Sequence, residues 1–156
     1  MSAVSRVAIV GSGVAGATAA ILLAEGGVDV DVFERKPDLS ALGSGITLQG
    51  NALRVFDRLG VWEQVKQAGY SFDQTGLRAP GPDAPVIAQI PDARTGGPEY
   101  PAVAGMYRPD LARILADRAT VLGAHIHYGT TVTSFTQDAD VPGLMRRITM
   151  LVCQPA

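Results

Sequence analysis

Cysteine is almost absent from this chain: Cys153 is the only one in 156 residues. An intrachain disulfide framework is therefore excluded, and a reducing, cytoplasmic setting is expected. An excess of charge of one sign is lacking too. The net charge of −2 gives no electrostatic reason to expect nucleic acid or an anionic membrane as partner. Histidine is scarce, with only His125 and His127 present. The two alternate on an expected strand and so share a face, but no Cys, Asp or Glu at ligand spacing accompanies them. Ordinary surface or half-buried histidines are expected there, and no metal site. No Ser-His-Asp, zinc or Walker-type pattern appears, so no catalytic residue is assigned. Long hydrophobic runs are missing as well. The uncharged stretch 7–24 after Arg6 has the outline of a signal peptide or membrane span. Gly11, Ser12, Gly13, Gly16 and Thr18 dilute it, and their spacing has a better explanation.

That explanation is a dinucleotide cradle. Residues 7–34 read as a strand, a Gly11-x-Gly13-x-x-Gly16 turn, a helix, and a second strand closing on Glu34. Each part has its own physical task. Gly11 permits the tight turn out of the first strand. Gly13 lets the backbone approach a pyrophosphate closely, and Gly16 lets helix and strands pack hard together. Ser12, Val14 and Ala15 complete the turn and the helix start, where unpaired N–H groups and the helix dipole favour a phosphate. Glu34 is placed to accept hydrogen bonds from the ribose hydroxyls. A carboxylate there favours FAD or NAD over NADP, whose 2′-phosphate it would repel. The length allows one domain with a sizeable core, short of the two domains most dinucleotide enzymes need. A hydrophobic fraction of 47% excludes a wholly disordered chain.

Along the chain, residues 4–10 suit a strand at the centre of a parallel sheet. Residues 14–25 form a helix packing through Ala15, Ala19, Leu22 and Leu23 and ended by Gly26-Gly27. In the second strand Asp29 and Asp31 share a face and read as a solvated sheet edge rather than an acid–base pair. Residues 43–50 form a glycine-punctuated loop or short extended piece, after which Asn51 caps a helix ended by Gly60. A further helix spans 61–68. Residues 71–105 are a Pro/Gly-rich excursion with strand-like pieces at 75–78 and 85–90. Arg108-Pro109-Asp110 opens another helix, whose apolar side is Leu111, Ile114, Leu115 and Leu122. Two short strands follow at 124–128 and 131–136.

The ordered pattern from Val7 to about Gln137 resembles the FAD-dependent aromatic hydroxylases, flavoprotein monooxygenases similar to para-hydroxybenzoate hydroxylase. Four pieces carry the resemblance. They are the Gly11–Gly16 turn, Val32-Phe33-Glu34-Arg35, Gly43-Ser44-Gly45-Ile46 leading into Asn51 to Gly60, and Arg108-Pro109-Asp110-Leu111. The implied fold is α/β, a Rossmann-like FAD-binding βαβ fold with a parallel sheet, incomplete at its C-terminal end and spanning residues 1–141. The implied activity is hydroxylation of a small aromatic or polyketide-like substrate, with NAD(P)H as co-substrate reducing the FAD and O2 as oxidant. By resemblance Gly11, Gly13, Gly16, Glu34, Arg35 and Arg108 hold the adenine, ribose and phosphates. Gly45, Ile46 and Gln49 lie nearer the isoalloxazine.

The chain departs from that pattern in places. Relatives often carry an arginine just before the Gly-x-Gly-Ile segment, where this chain has Ala41-Leu42-Gly43; Arg35 could substitute. They often have proline before the helix-starting asparagine, where this chain has Gly50. The Asp-Gly and Gly-Asp flavin motifs further along such proteins are absent. Residues 142–156 do not continue the expected strand–turn–strand pattern, which suggests a truncated product with a tail read in a shifted frame. Two functional classes stay open: the FAD-binding part of a monooxygenase, inactive alone, and a non-catalytic dinucleotide-binding module or adenosine-half subunit served by a complementing chain.

Overall fold

The computed structural model describes residues 4–39, 44–137 and 148–153, the last six and residues 136–137 by backbone alone. In chain order the elements are β1 (Arg6–Val10), α1 (Val14–Glu25), β2 (Asp29–Phe33), β3 (Gly45–Gln49), α2 (Gly50–Arg58), α3 (Trp62–Ala68) and β4 (Tyr70–Phe72). They continue with β5 (Gln74–Arg78), β6 (Val86–Pro91), β7 (Val103–Tyr107), α4 (Arg108–Val121), β8 (His125–His127), β9 (Thr131–Gln137) and β10 (Ile148–Cys153). The chain divides into two compact units, one of residues 1–41 with 112–156 and the other of residues 42–111.

The first unit contains the parallel sheet that the βαβ pattern calls for, in the order β1-β2-β8. Among the described strands the middle place belongs to β2, not to β1 as its apolar sequence suggests. Val30 and Val32 on β2 are fully buried, whereas β1 alternates half-buried and exposed residues. The packing side of α1 also differs from expectation. Ala17, Ala20 and Ile21 are buried, while Ala15 and Leu22 are exposed. The helix is apolar nearly all round, so periodicity gave it no direction. Leu115, Ala116 and Ala119 of α4 and Ala124 add to this unit's core.

Asp31 is not a solvated edge carboxylate. Its side chain is only 13% exposed and sits between Arg6 on β1 and His127 on β8. Arg6 reaches one oxygen at 2.7 Å, and His127 Nε2, carrying the proton, reaches the other at 2.8 Å. His127 also stacks on Phe33 with ring centroids 5.0 Å apart. The hydrogen bond from His127 is the largest influence on the carboxyl. With the bonds and charge from Arg6 it outweighs burial and holds Asp31 below the ordinary aspartate value. Because the folded-state value is depressed, the stabilisation is present above the unfolded value of about 3.9 and is lost as pH falls below it. Acid unfolding of the chain is therefore expected to be less steep below about pH 4 in Asp31→Asn than in the parent. Equal slopes in fluorescence-monitored acid titrations would remove Asp31 from the account.

The last strand is a further correction. β10 pairs antiparallel with β9, so residues 148–153 do complete a strand pairing that their sequence conceals. The connection at 138–147, like Ala41-Leu42-Gly43 and the final three residues, lies outside the described residues.

In the second unit β7 is the centre of a three-stranded antiparallel sheet, β3-β7-β4. It starts at the end of the Pro/Gly-rich stretch and runs up to Arg108, where Pro101 and Gly105 disguise a strand whose Val103, Ala104 and Met106 are buried. Leu53, Phe56, Leu59, Val61, Trp62 and Val65 of α2, α3 and their junction supply most of the remaining core. β5 and β6 form a separate two-stranded hairpin, as the excursion suggests. α2 begins at Gly50, one residue before the expected Asn51 cap, with Gln49 as N-cap residue.

Candidate functional site

The glycine turn takes the shape its sequence requires. Gly11 adopts φ +96°, in the left-handed region, and its N–H donates to the Phe33 carbonyl at 2.8 Å. The end of β2 and the turn out of β1 are thereby tied together. A Cβ on Gly16 would overlap the Gly11 carbonyl oxygen and come within 3.3 Å of Ile9 Cγ2. Helix and turn thus approach as closely as backbone permits. Gly13 is different: it is exposed, and a Cβ there would meet nothing within 4 Å. The protein packs against Gly16 but leaves the space over Gly13 open.

Gly13 is also the N-cap of α1, and no side chain caps it or adds an acid to the first turn. The first N–H groups of a helix lack intrahelical partners. Val14 and Ala15 follow Gly13 at this uncapped end, half-buried and exposed respectively. The contrast with α2 is informative. There Gly50 N–H donates to the Ala102 carbonyl at 2.9 Å and Asn51 N–H to the Thr95 hydroxyl at 3.1 Å. One helix start is satisfied from within its own unit; the start of α1 has no side-chain cap, and an uncapped helix start is a position that favours an anion.

Glu34 stands beside this turn with its backbone fixed on both sides. Its N–H donates to the His127 carbonyl, and its own carbonyl accepts from Thr130 N–H, each at 2.9 Å. One carboxylate oxygen accepts from Ser12 N–H at 2.8 Å and from the Ser12 hydroxyl at 3.0 Å. The other accepts from Lys36 N–H at 2.9 Å. Ser12 is thus buried and occupied in holding Glu34. Burial is the largest single influence on Glu34 and pushes its pKa up. The donors on Lys36 and Ser12 together outweigh it, so the group lies below the ordinary glutamate value. A carboxylate has about four acceptor positions, and three are used here. The ionised, oriented group can still accept from a hydroxyl. These features fit the adenosine diphosphate half of a dinucleotide: an open glycine, an uncapped helix start and an anchored acid. Arg35, the next residue, is exposed.

The remaining expected residues belong to the second unit. Gly45 lies opposite Tyr107 and Ile46 opposite Met106 in the β3–β7 register. Arg108 follows directly and donates its N–H to the Ser44 carbonyl at 3.4 Å, so Gly45 and Arg108 are neighbours. Gln49 is exposed at the end of β3. Sequence reading missed the loop around Thr95 and Gly96 that seats against Gly50. Its only signals are a Gly96-Gly97 pair and an unassigned Arg94. Among the described residues no three His, Cys, Asp or Glu side chains are grouped as metal ligands. No described helix is long and apolar enough to cross a membrane.

A parallel βαβ unit with this turn and this acid is a dinucleotide-binding fold. Residues 4–144 match the model of the FAD binding domain family, and the chain belongs to that family. Over 70% of its length it is 40% identical to 3-amino-4-hydroxybenzoate 2-monooxygenase of Streptomyces cremeus, covering 28% of that enzyme. Over 90% of its length it is 30% identical to 6-hydroxynicotinate 3-monooxygenase of Pseudomonas fluorescens, covering 40% of it. Among solved structures, the tetrameric form of 2-methyl-3-hydroxypyridine-5-carboxylic acid oxygenase superposes with a TM-score of 0.71 at 29% identity. That match covers 98% of this chain and 38% of the oxygenase. The chain thus spans well under half the length of these relatives.

Proposed function

We propose that the chain is the FAD-binding part of a flavoprotein monooxygenase that hydroxylates a small aromatic substrate with NAD(P)H and O2. The observation that carries the reading is the Glu34–Ser12 anchor beside an uncapped, glycine-opened helix start. Similarity to two enzymes named as monooxygenases of substituted hydroxy-aromatic acids supports the reaction class. In this reading Glu34 accepts from the ribose hydroxyls, the first amides of α1 at Val14 and Ala15 face the pyrophosphate, and Gly13 gives it room. Arg35 and Arg108 offset phosphate charge, while Gly45, Ile46 and Gln49 are the flavin-side residues of the second unit. FAD, when bound, supplies the oxygen chemistry, and the protein supplies orientation and exclusion of water. The chain covers 28% and 40% of these two enzymes, so by itself it is expected to give no hydroxylated product.

Competition binding tests the adenosine half. Glu34→Gln is expected to weaken ADP about tenfold, because a charge-assisted hydrogen bond becomes a neutral one. It should also narrow the preference for ADP over 2′-phospho-ADP, since the carboxylate no longer repels the added phosphate. Equal ADP affinity in parent and variant, with no change in that preference, would contradict the assignment of Glu34.

A further inference from the structure

Gly50 opens α2 just before Asn51, and its surroundings require a glycine there. A Cβ on Gly50 would lie 2.7 Å from the Gly96 nitrogen and 3.3 Å from both Thr95 N and Pro101 O. Reciprocally, a Cβ on Gly96 would overlap the Gly50 carbonyl. The Gly50 N–H is needed as well, since it donates to the Ala102 carbonyl at 2.9 Å, and proline has no such donor. Two backbones are therefore in direct contact where a side chain on either would part them. Gly96 is buried although it lies in a loop between exposed Thr95 and half-buried Gly97.

The loop is held by one fork. Arg94 Nε and Nη2 reach the two carboxylate oxygens of Asp73 at 3.1 and 2.6 Å, and Nη1 donates to the Pro98 carbonyl at 2.9 Å. Asp73 accepts in addition from the N–H of Ala102 at 2.8 Å, the same residue whose carbonyl takes the Gly50 N–H. Tyr100 closes the far side by donating to Asp57 on α2 at 2.6 Å. An exposed ion pair alone contributes little, but a bidentate pair with two further backbone bonds selects one loop conformation.

We infer that loop 92–101 is a clasp that positions the β3–α2 turn, with Arg94 as the positioning residue, and that Gly50 and Gly96 are matched to admit it. The clasp sets the orientation of Gln49, which immediately precedes Gly50, and through Thr95 it occupies the Asn51 amide in the first turn of α2. It has no part in holding the adenosine diphosphate. The inference rests on the reading of Gln49 as a flavin-side residue.

Three variants of the full chain, Arg94→Ala, Arg94→Lys and Thr95→Val, test it by two readouts. Amide hydrogen exchange needs no flavin. Exchange at Asn51 is expected to be at least about tenfold faster in Arg94→Ala and in Thr95→Val, with Arg94→Lys between Arg94→Ala and the parent. Binding provides the second readout. FAD affinity is expected to fall about tenfold in Arg94→Ala while ADP affinity stays within about twofold, with partial recovery in Arg94→Lys. Unchanged Asn51 exchange in Thr95→Val, which removes one acceptor and leaves the fold intact, would overturn the clasp. FAD and ADP weakening by the same factor would reduce Arg94 to a general stabiliser and overturn the positioning role. A parent chain that binds ADP but not FAD would refute the flavin-side reading and the positioning of flavin with it, while Asn51 exchange would still decide whether the clasp exists.

Discussion

Gly13→Asp is expected to raise the stability of the chain and abolish its nucleotide binding in the same stroke. Gly13 has φ −64° and ψ 177°, a backbone conformation open to any residue, and a Cβ there meets no protein atom within 4 Å. An aspartate at this N-cap would accept hydrogen bonds from the free amides of the first turn and complement the helix dipole. Together these contribute about 0.5–1 kcal/mol. The same carboxylate would occupy the place of the pyrophosphate and repel it. A loss of at least about 100-fold in ADP or FAD affinity, about 2.7 kcal/mol, is expected. Thermal melts and nucleotide titrations on one sample read both effects. Retained binding would place the phosphates elsewhere, whatever the melt shows.

Gly16→Ala, three residues on, is expected to act in the opposite way on stability. Its added methyl would overlap the Gly11 carbonyl oxygen, lie 3.1 Å from that carbonyl carbon and press on Ile9. The Gly11 backbone cannot rotate away, as a side chain could, so α1 must shift off the turn. Overpacking typically costs 1–3 kcal/mol, and a clash between backbones belongs at about 3 kcal/mol or beyond. Domains of ordinary stability have about 5–15 kcal/mol in total, so a large drop in urea midpoint is expected, with binding lost through the fold. A variant with the parent's midpoint would show that helix and turn are not in the contact described. The two glycines look alike in the motif, yet one leaves open space over it and the other admits the helix.

How much of this was legible in the sequence follows from what each segment packs against. The βαβ turn was readable because glycine spacing, strand alternation and Glu34 report local geometry that no other arrangement satisfies as well. Helix α1 was bounded correctly, but its buried side was not, since an apolar helix carries no periodic contrast. Asp31 looked like an edge acid because its partners, Arg6 and His127, come from β1 and β8, remote in sequence from β2. β7 and the clasp escaped for the same reason. Val103–Tyr107 becomes a central strand only through β3 and β4 on either side, and Gly96 acquires meaning only against Gly50. The place of Ser12 in the motif points to the cofactor. Its hydroxyl and N–H also hold Glu34, a task visible only once β2 lies beside the turn.

Titration of the purified chain with FAD, followed by flavin fluorescence, tests the central claim most directly. A saturable change at one FAD per chain, displaced by ADP and absent in Gly13→Asp, is the expected result. No change up to about 1 mM FAD, which would put any binding weaker than about 4 kcal/mol, in a sample whose circular dichroism shows the folded α/β chain, would contradict it.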